Sequence, residues 1–133
     1  MKQKSISGHV SESIEQQQLF QWASWLQPRH PELALMYHIP NEGKRSRATG
    51  GRMCAEGLKA GVPDICLPVP SGNYHGLYIE MKRIGGRVSC EQRQWIQLLA
   101  EQGYRAAVCF GFEEAARTIM EYLGLKGDVH HVK

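Results

Sequence analysis

The sequence predicts an α/β sandwich: a mixed central β-sheet with helices on both faces, in the order αβ(α)ββαβα. Three observations carry that expectation. Apolar residues recur at three- and four-residue steps in well-separated segments, the signature of helices that bury one face. Between them lie short runs that are continuously apolar or alternate apolar with polar, as strands do. The length of 133 residues suits one domain, because a chain of this size buries about two-thirds of its unfolded surface without a metal or disulfide staple.

Residues 1–10 read as a flexible N-terminal tail, 11–125 as the single folded domain and 126–133 as a flexible C-terminal tail. The first helix is expected from Ser11 to Gln27, with Leu19, Trp22, Ala23 and Leu26 on one stripe and Pro28 as its stop. Leu33 to Ile39 reads as a short apolar strand ended by Pro40 and the turn-forming Asn41-Glu42-Gly43. A short helix around Arg52 to Ala60 follows, terminated by Gly61. Strands Asp64–Leu67 and Gly76–Lys82 flank a loop rich in Pro, Ser, Gly and Asn, a hairpin connection. A helix from Ser89 to Gln102 stops at Gly103, "YRAAVCF" forms another strand, and "GFEEAARTIMEYLGL" closes with a helix.

Sixteen Lys plus Arg against thirteen Asp plus Glu give a formal charge of +3, too mild to announce a polyanionic partner. The distribution says more. Lys44, Arg45, Arg47, Arg52 and Lys59 face the single acid Glu56 in one stretch, the kind of segment that tracks phosphates, and Arg83 and Arg87 add to it. Cys54, Cys66, Cys90 and Cys109 include no C-x-x-C pair, which favours reduced thiols over a disulfide framework or zinc site. The N-terminus lacks an apolar signal-peptide core and no later stretch approaches about 18 apolar residues. The expectation is a cytoplasmic protein without a membrane partner.

Chemistry concentrates in "HGLYIEMKRIGG". On a strand, Leu77, Ile79 and Met81 share one face while Tyr78, Glu80 and Lys82 share the other. Upstream, Asp64 opens a strand behind Pro63, whose fixed φ limits how the chain enters the sheet. If the two strands pair as a hairpin, the carboxylates of Asp64 and Glu80 sit side by side. Such a pair repels unless a cation neutralises it, and Mg²⁺ prefers one or two carboxylates plus waters and phosphate oxygens. The backbone carbonyl of Met81 adds a possible ligand. Lys82 then lies close to metal and phosphate, where it orients an attacking water and offsets transition-state charge.

Pro63-Asp64, fifteen residues, then Glu80-x-Lys82 resembles the signature of the PD-(D/E)xK nuclease superfamily. "HIPNEG" at 38–43, "KAGVPDICLPVPSG" at 59–72 and the G-x-P-D, E-x-K and S-x-x-Q blocks in order resemble the stand-alone VRR-NUC domain of phages and prophages. The resemblance implies a restriction-endonuclease-like sandwich, a divalent metal (Mg²⁺, with Mn²⁺ substituting) and phosphodiester hydrolysis by Asp64, Glu80 and Lys82. It implies DNA as the partner, branched DNA such as four-way junctions above all, a homodimer, and a bacterial cytoplasm as the setting. A less selective nuclease or nickase and a catalytically silent DNA-binding module are the alternatives. It further implies a glutamine, for which Gln92 stands in place, and an acid from the first helix. Gln92 also fits an S-x-x-Q capping box from Ser89. Glu15, four residues before Leu19, is the preferred acid, with Glu12 one turn earlier as the other choice. His130 and His131, expected in a tail without acids nearby, carry no metal role, Trp22 and Trp95 are expected in the core, and His38 and Asn41 receive no chemical role.

Overall fold

The computed structural model describes residues 11–40 and 47–133, with only the backbone of 47–50; the expected N-terminal tail lies outside them. Helix α1 spans Glu12–Leu26. It starts where it does because Ser11 takes an extended backbone and its hydroxyl accepts the Ile14 N–H at 3.2 Å, satisfying one of the orphan donors of the first turn. Its buried stripe is Glu15, Leu19, Trp22 and Ala23.

The run from Leu33 to Ile39 is not one strand. Pro31 opens a short 3-10 helix, Pro31–Leu35, and only Tyr37–His38 forms β1. The Leu33 and Met36 amides bond backward to His30 and Leu33 at 3.0 and 3.3 Å, so the backbone is satisfied locally and needs no ladder over most of the run. A short apolar run cannot by itself distinguish a strand from a helical turn. Helix α2 is Arg47–Ala55, earlier than the expected Arg52 to Ala60; Gly57, at φ +112°, already turns the chain out of the helix.

The remaining elements follow the expected order. β2 (Ile65–Leu67) and β3 (Leu77–Lys82) pair antiparallel, with Ile65 opposite Ile79 and Leu67 opposite Leu77. Helix α3 (Cys90–Glu101) crosses over to β4 (Arg105–Phe110), which runs parallel to β3, and α4 (Phe112–Leu123) closes the layer. The sheet order β1-β2-β3-β4 is mixed, as the sequence predicts. One face of the sheet is dry: Leu19, Trp22, Ile65, Leu67, Leu77, Ile79, Met81, Ala115 and Ile119 form one cluster between the strands and helices α1 and α4. Helix α3 lies on the opposite face and buries no residue fully. Trp95, expected in the core, is only half-buried there, its indole N–H donating to the Ala60 carbonyl at 3.0 Å.

Residues 126–133, expected as a tail, also fold. Gly127–Asp128 (β5) and His131–Val132 (β6) make a small antiparallel hairpin, with Val129 between them buried against the core. Its anchor is polar. The buried Trp22 indole N–H needs an acceptor and finds the Val129 carbonyl at 2.8 Å. No helix of the described residues is long and apolar enough to cross a membrane.

Candidate active site

Strand β3 sorts its side chains by parity. Leu77, Ile79 and Met81 go to the dry face, and Glu80 goes to the α3 side, where it is nonetheless 3% exposed. Asp64 immediately precedes β2, whose Ile65 is opposite Ile79, so its place in the register is beside Glu80. Pro63, fully buried, fixes the approach. The Asp64 carboxylate is held by the Met81 amide at 2.8 Å and stands beside the Glu80 carboxyl. Burial and proximity act together on this pair. Burial first, then the Asp64 charge, push the Glu80 carboxyl up to about 8 against the opposing pull of Lys82. Burial also raises Asp64, with the Met81 amide pulling the other way. Without a cation the two therefore share a proton.

Gln92 forms the capping box and also reaches Glu80. Its side-chain oxygen accepts the Ser89 N–H at 2.8 Å and the Ser89 hydroxyl accepts the Gln92 N–H at 3.1 Å, completing the capping box. The same amide donates from Nε2 to Glu80 Oε2 at 2.9 Å. Helix α3 thus starts at the site and fixes one Glu80 oxygen. Lys82 Nζ lies 3.9 Å from that oxygen. The other, Glu80 Oε1, is buried without any hydrogen-bond partner among the described residues. An acceptor left open in a desolvated position costs free energy unless something cationic meets it.

These residues fit a Mg²⁺ ion. Among the described residues no group of three or more His, Cys, Asp or Glu side chains gathers closely enough to hold a metal. Two carboxylates with one open oxygen suit an ion that keeps most of its shell as water and phosphate, and do not suit one that demands an all-protein cage. Asp64 and Glu80 would hold it, with the Met81 carbonyl adjacent in sequence.

Of the two acids on the first helix, Glu12 and not Glu15 reaches the cleft. Glu12 lines the cleft of about 490 Å³ together with Asp64, Glu80, Lys82, Gln92 and His38, and its charge raises both Asp64 and Glu80. Glu15 faces inward as its spacing from Leu19 predicts, but what it meets there is the start of α4. Its Oε1 accepts the Phe112 N–H at 2.7 Å. Gly111, at φ +92°, occupies the N-cap of α4 and has no side chain to offer, so Glu15 supplies the missing acceptor from the other end of the chain. Glu15, the expected catalytic acid, is thus held at the start of α4 and does not line the cleft.

His38 is the residue that spacing did not reveal. Its Nδ1 lies 2.9 Å from the Asp64 carbonyl, joining β1 to the strand start that carries the acid. The only sequence signal was its place in "HIPNEG"; Asn41 of that block lies outside the described residues. Of the basic residues, Arg52, Lys59, Arg83 and Arg87 are exposed. Lys44 and Arg45 lie outside the described residues, as does the Arg47 side chain. His130 and His131, contrary to expectation, do have acids beside them, Glu113 at 3.4 Å and Asp128 at 3.2 Å, but as two separate exposed pairs and not as a ligand cluster.

A mixed sheet that brings a buried and a half-buried carboxylate and a lysine to the open end of a hairpin, under the start of a crossover helix, defines a nuclease-type α/β domain. The VRR-NUC domain profile matches residues 10–113, and the chain belongs to that family. Among solved structures it is similar to a "VRR_NUC domain protein", with a TM-score of 0.69 and 29% sequence identity over 85% of this chain and 88% of the other. Comparison with curated proteins finds no match. Family membership makes this a DNA-processing domain of nuclease type.

Proposed function

We propose that the protein is a Mg²⁺-dependent DNA endonuclease, with Mn²⁺ able to substitute, that hydrolyses phosphodiester bonds in branched DNA, four-way junctions foremost. It acts as a homodimer in a bacterial cell. One observation carries the reading: the half-buried Asp64 beside the buried Glu80, which has one oxygen open and the other 3.9 Å from Lys82. Asp64 and Glu80 would hold a divalent cation, which would supply Lewis acidity toward the scissile phosphate and offset their repulsion. The chain's own groups do the rest. Asp64 is oriented by the Met81 amide and Glu80 by Gln92, so neither has to reorganise as charge develops. Lys82 contributes a compact ammonium that orients the attacking water and offsets charge on the phosphorane. Arg52, Lys59, Arg83 and Arg87 offer sequence-independent phosphate contacts, which read shape and not base identity.

The dimer is supported by what β4 leaves open. It is the edge strand, its residues Arg105 to Val108 are all half-exposed, and Leu98 on neighbouring α3 is 56% exposed. An apolar edge of this kind invites pairing with a second copy. Cleavage of junction, flap and linear duplex with Mg²⁺, Mn²⁺ or EDTA, beside sedimentation of the protein, tests the proposal. The expected result is metal-dependent cutting with junctions ahead. Equal cutting of linear duplex would replace it with a less selective nuclease, and binding without cutting with a silent module.

A further inference from the structure

The turn after Lys82 carries a side chain that hydrolysis does not use. Arg83 to Gly86 form a tight turn, closed by the Gly86 N–H donating to the Arg83 carbonyl at 2.8 Å. Gly85 sits at its third position with φ +88°, as the type II geometry demands. Ile84 therefore occupies the corner, where its side chain is 58% exposed. A β-branched aliphatic residue is an unusual choice there, since turn corners usually carry Pro, Asn, Asp or Gly. Its position is also braced, because its Cγ1 lies 3.5 Å from where a Cβ on Gly111 would stand. Its Cδ1 lies 3.6 Å from the same point, so one edge of the side chain rests on the start of α4 and the other edge faces solvent. Branching at Cβ restricts χ1, so little freedom is lost on insertion into a partner. Arg83 and Arg87, both exposed, flank it. It lies two residues beyond Lys82, at most about 7 Å of chain, which is the reach of one or two nucleotides from the scissile phosphate.

Resting on the DNA-processing reading of the neighbouring site, we propose that Ile84 is a wedge: it inserts into the base stack at a branch point while Arg83 and Arg87 hold the flanking phosphates. Apolar wedges work where the stack is already weakened, because the cost of unstacking is lowest there. Preference for branched DNA then arises from a deformation at the point of cutting, without base-specific contacts.

The test uses a four-way junction carrying 2-aminopurine beside the branch point, bound by the full-length protein in EDTA so that nothing is cut. Wild type should raise the fluorescence severalfold on binding. Ile84→Ala should lose most of that rise while anisotropy reports a comparable complex, and Ile84→Leu should restore it. With Mg²⁺, the ratio of junction to linear cleavage should fall about tenfold or more in Ile84→Ala. A bound wild-type complex without unstacking, or an alanine variant with the full rise, overturns the proposal. If the alanine variant loses binding altogether, the leucine variant decides: recovery of binding and rise supports the wedge, and failure to recover overturns it. A change of oligomeric state in Ile84→Ala with unstacking intact would make the residue an interchain contact and also overturn it. The fluorescence signal needs neither metal nor hydrolysis, so failure of the nuclease reading would appear separately, as absent wild-type cleavage.

Discussion

The two faces of the central sheet differ in nearly every physical respect although they are built from alternate residues of the same strands. On the α1/α4 face, Ile65, Leu67, Leu77, Ile79 and Met81 are sealed from solvent in one cluster. On the α3 face, the helix buries nothing fully, and the strand presents Tyr78, Glu80 and Lys82. The dry face supplies the free energy that the other consumes in holding two carboxylates together with an acceptor unmet. Stability and chemistry are thereby separated by a single step along β3, and substitutions one residue apart should fail in opposite ways.

The largest effect belongs to the acids. Asp64→Asn and Glu80→Gln should each lower single-turnover cleavage by about 10²–10³ or more while leaving the fold intact and DNA binding equal or tighter. Near wild-type turnover in either would remove the metal-site assignment. Lys82→Arg should fall by the same order despite keeping its charge, since a planar guanidinium cannot replace a compact ammonium point for point; activity within about tenfold of wild type would reduce Lys82 to charge balance.

Next comes the dry side. Ile79→Ala, adjacent to Glu80, should cost about 2–5 kcal/mol in chemical denaturation, and any activity lost should track the unfolded fraction.

The sharing of a proton sets a pH dependence that only the wet face can produce. Glu80 is pushed up to about 8 from the ordinary carboxylate value of 4.5. Between those values the metal-free native protein keeps a proton that the unfolded chain has released. Stability is therefore greatest at the acidic end of this window and declines as pH rises through it. Thermal melts in EDTA should fall from pH 5 to pH 8, and Glu80→Gln should flatten that slope. An unchanged slope in the variant would place the titration elsewhere.

The smallest effects, and the sharpest, concern two acids on one helix. Glu15→Gln should destabilise the protein by about 0.5–2 kcal/mol, as loss of a helix cap does, with cleavage largely kept. Glu12→Gln should leave stability within about 0.5 kcal/mol and lower cleavage. The reverse pattern would return Glu15 to the site.

The period-two pattern of Leu77 to Lys82 makes both faces of β3 legible in the sequence, and pairing of the two strands as a hairpin suffices to set Asp64 beside Glu80. Ser89 and Gln92 were legible too, though as alternatives that turned out to be simultaneous. What periodicity cannot give is the identity of the neighbour across a gap. It placed Glu15 on the inward stripe correctly and could not say that α4, begun by a glycine with no capping side chain, waits at that level. Likewise nothing local in "GDVHHVK" announces that Val129 carries the acceptor for an indole 107 residues away. The apolar run at 33–39 failed for a different reason: seven residues are too few to separate a strand from a helical turn, and the proline at its head decided the matter.

The cap that Glu15 provides for α4 joins residues 97 positions apart, and the bond from Trp22 to Val129 spans more still. During synthesis at about 5–20 residues per second, α1 leaves the ribosome roughly 5–20 s before its partners exist. Until then Glu15 lacks the donor it caps, the Trp22 indole lacks its acceptor, and the part of the inward stripe that packs on α4 lacks its cover. The order in which the chain is made and the order in which it can be finished are therefore opposed: the first helix waits on elements made about 100 residues later.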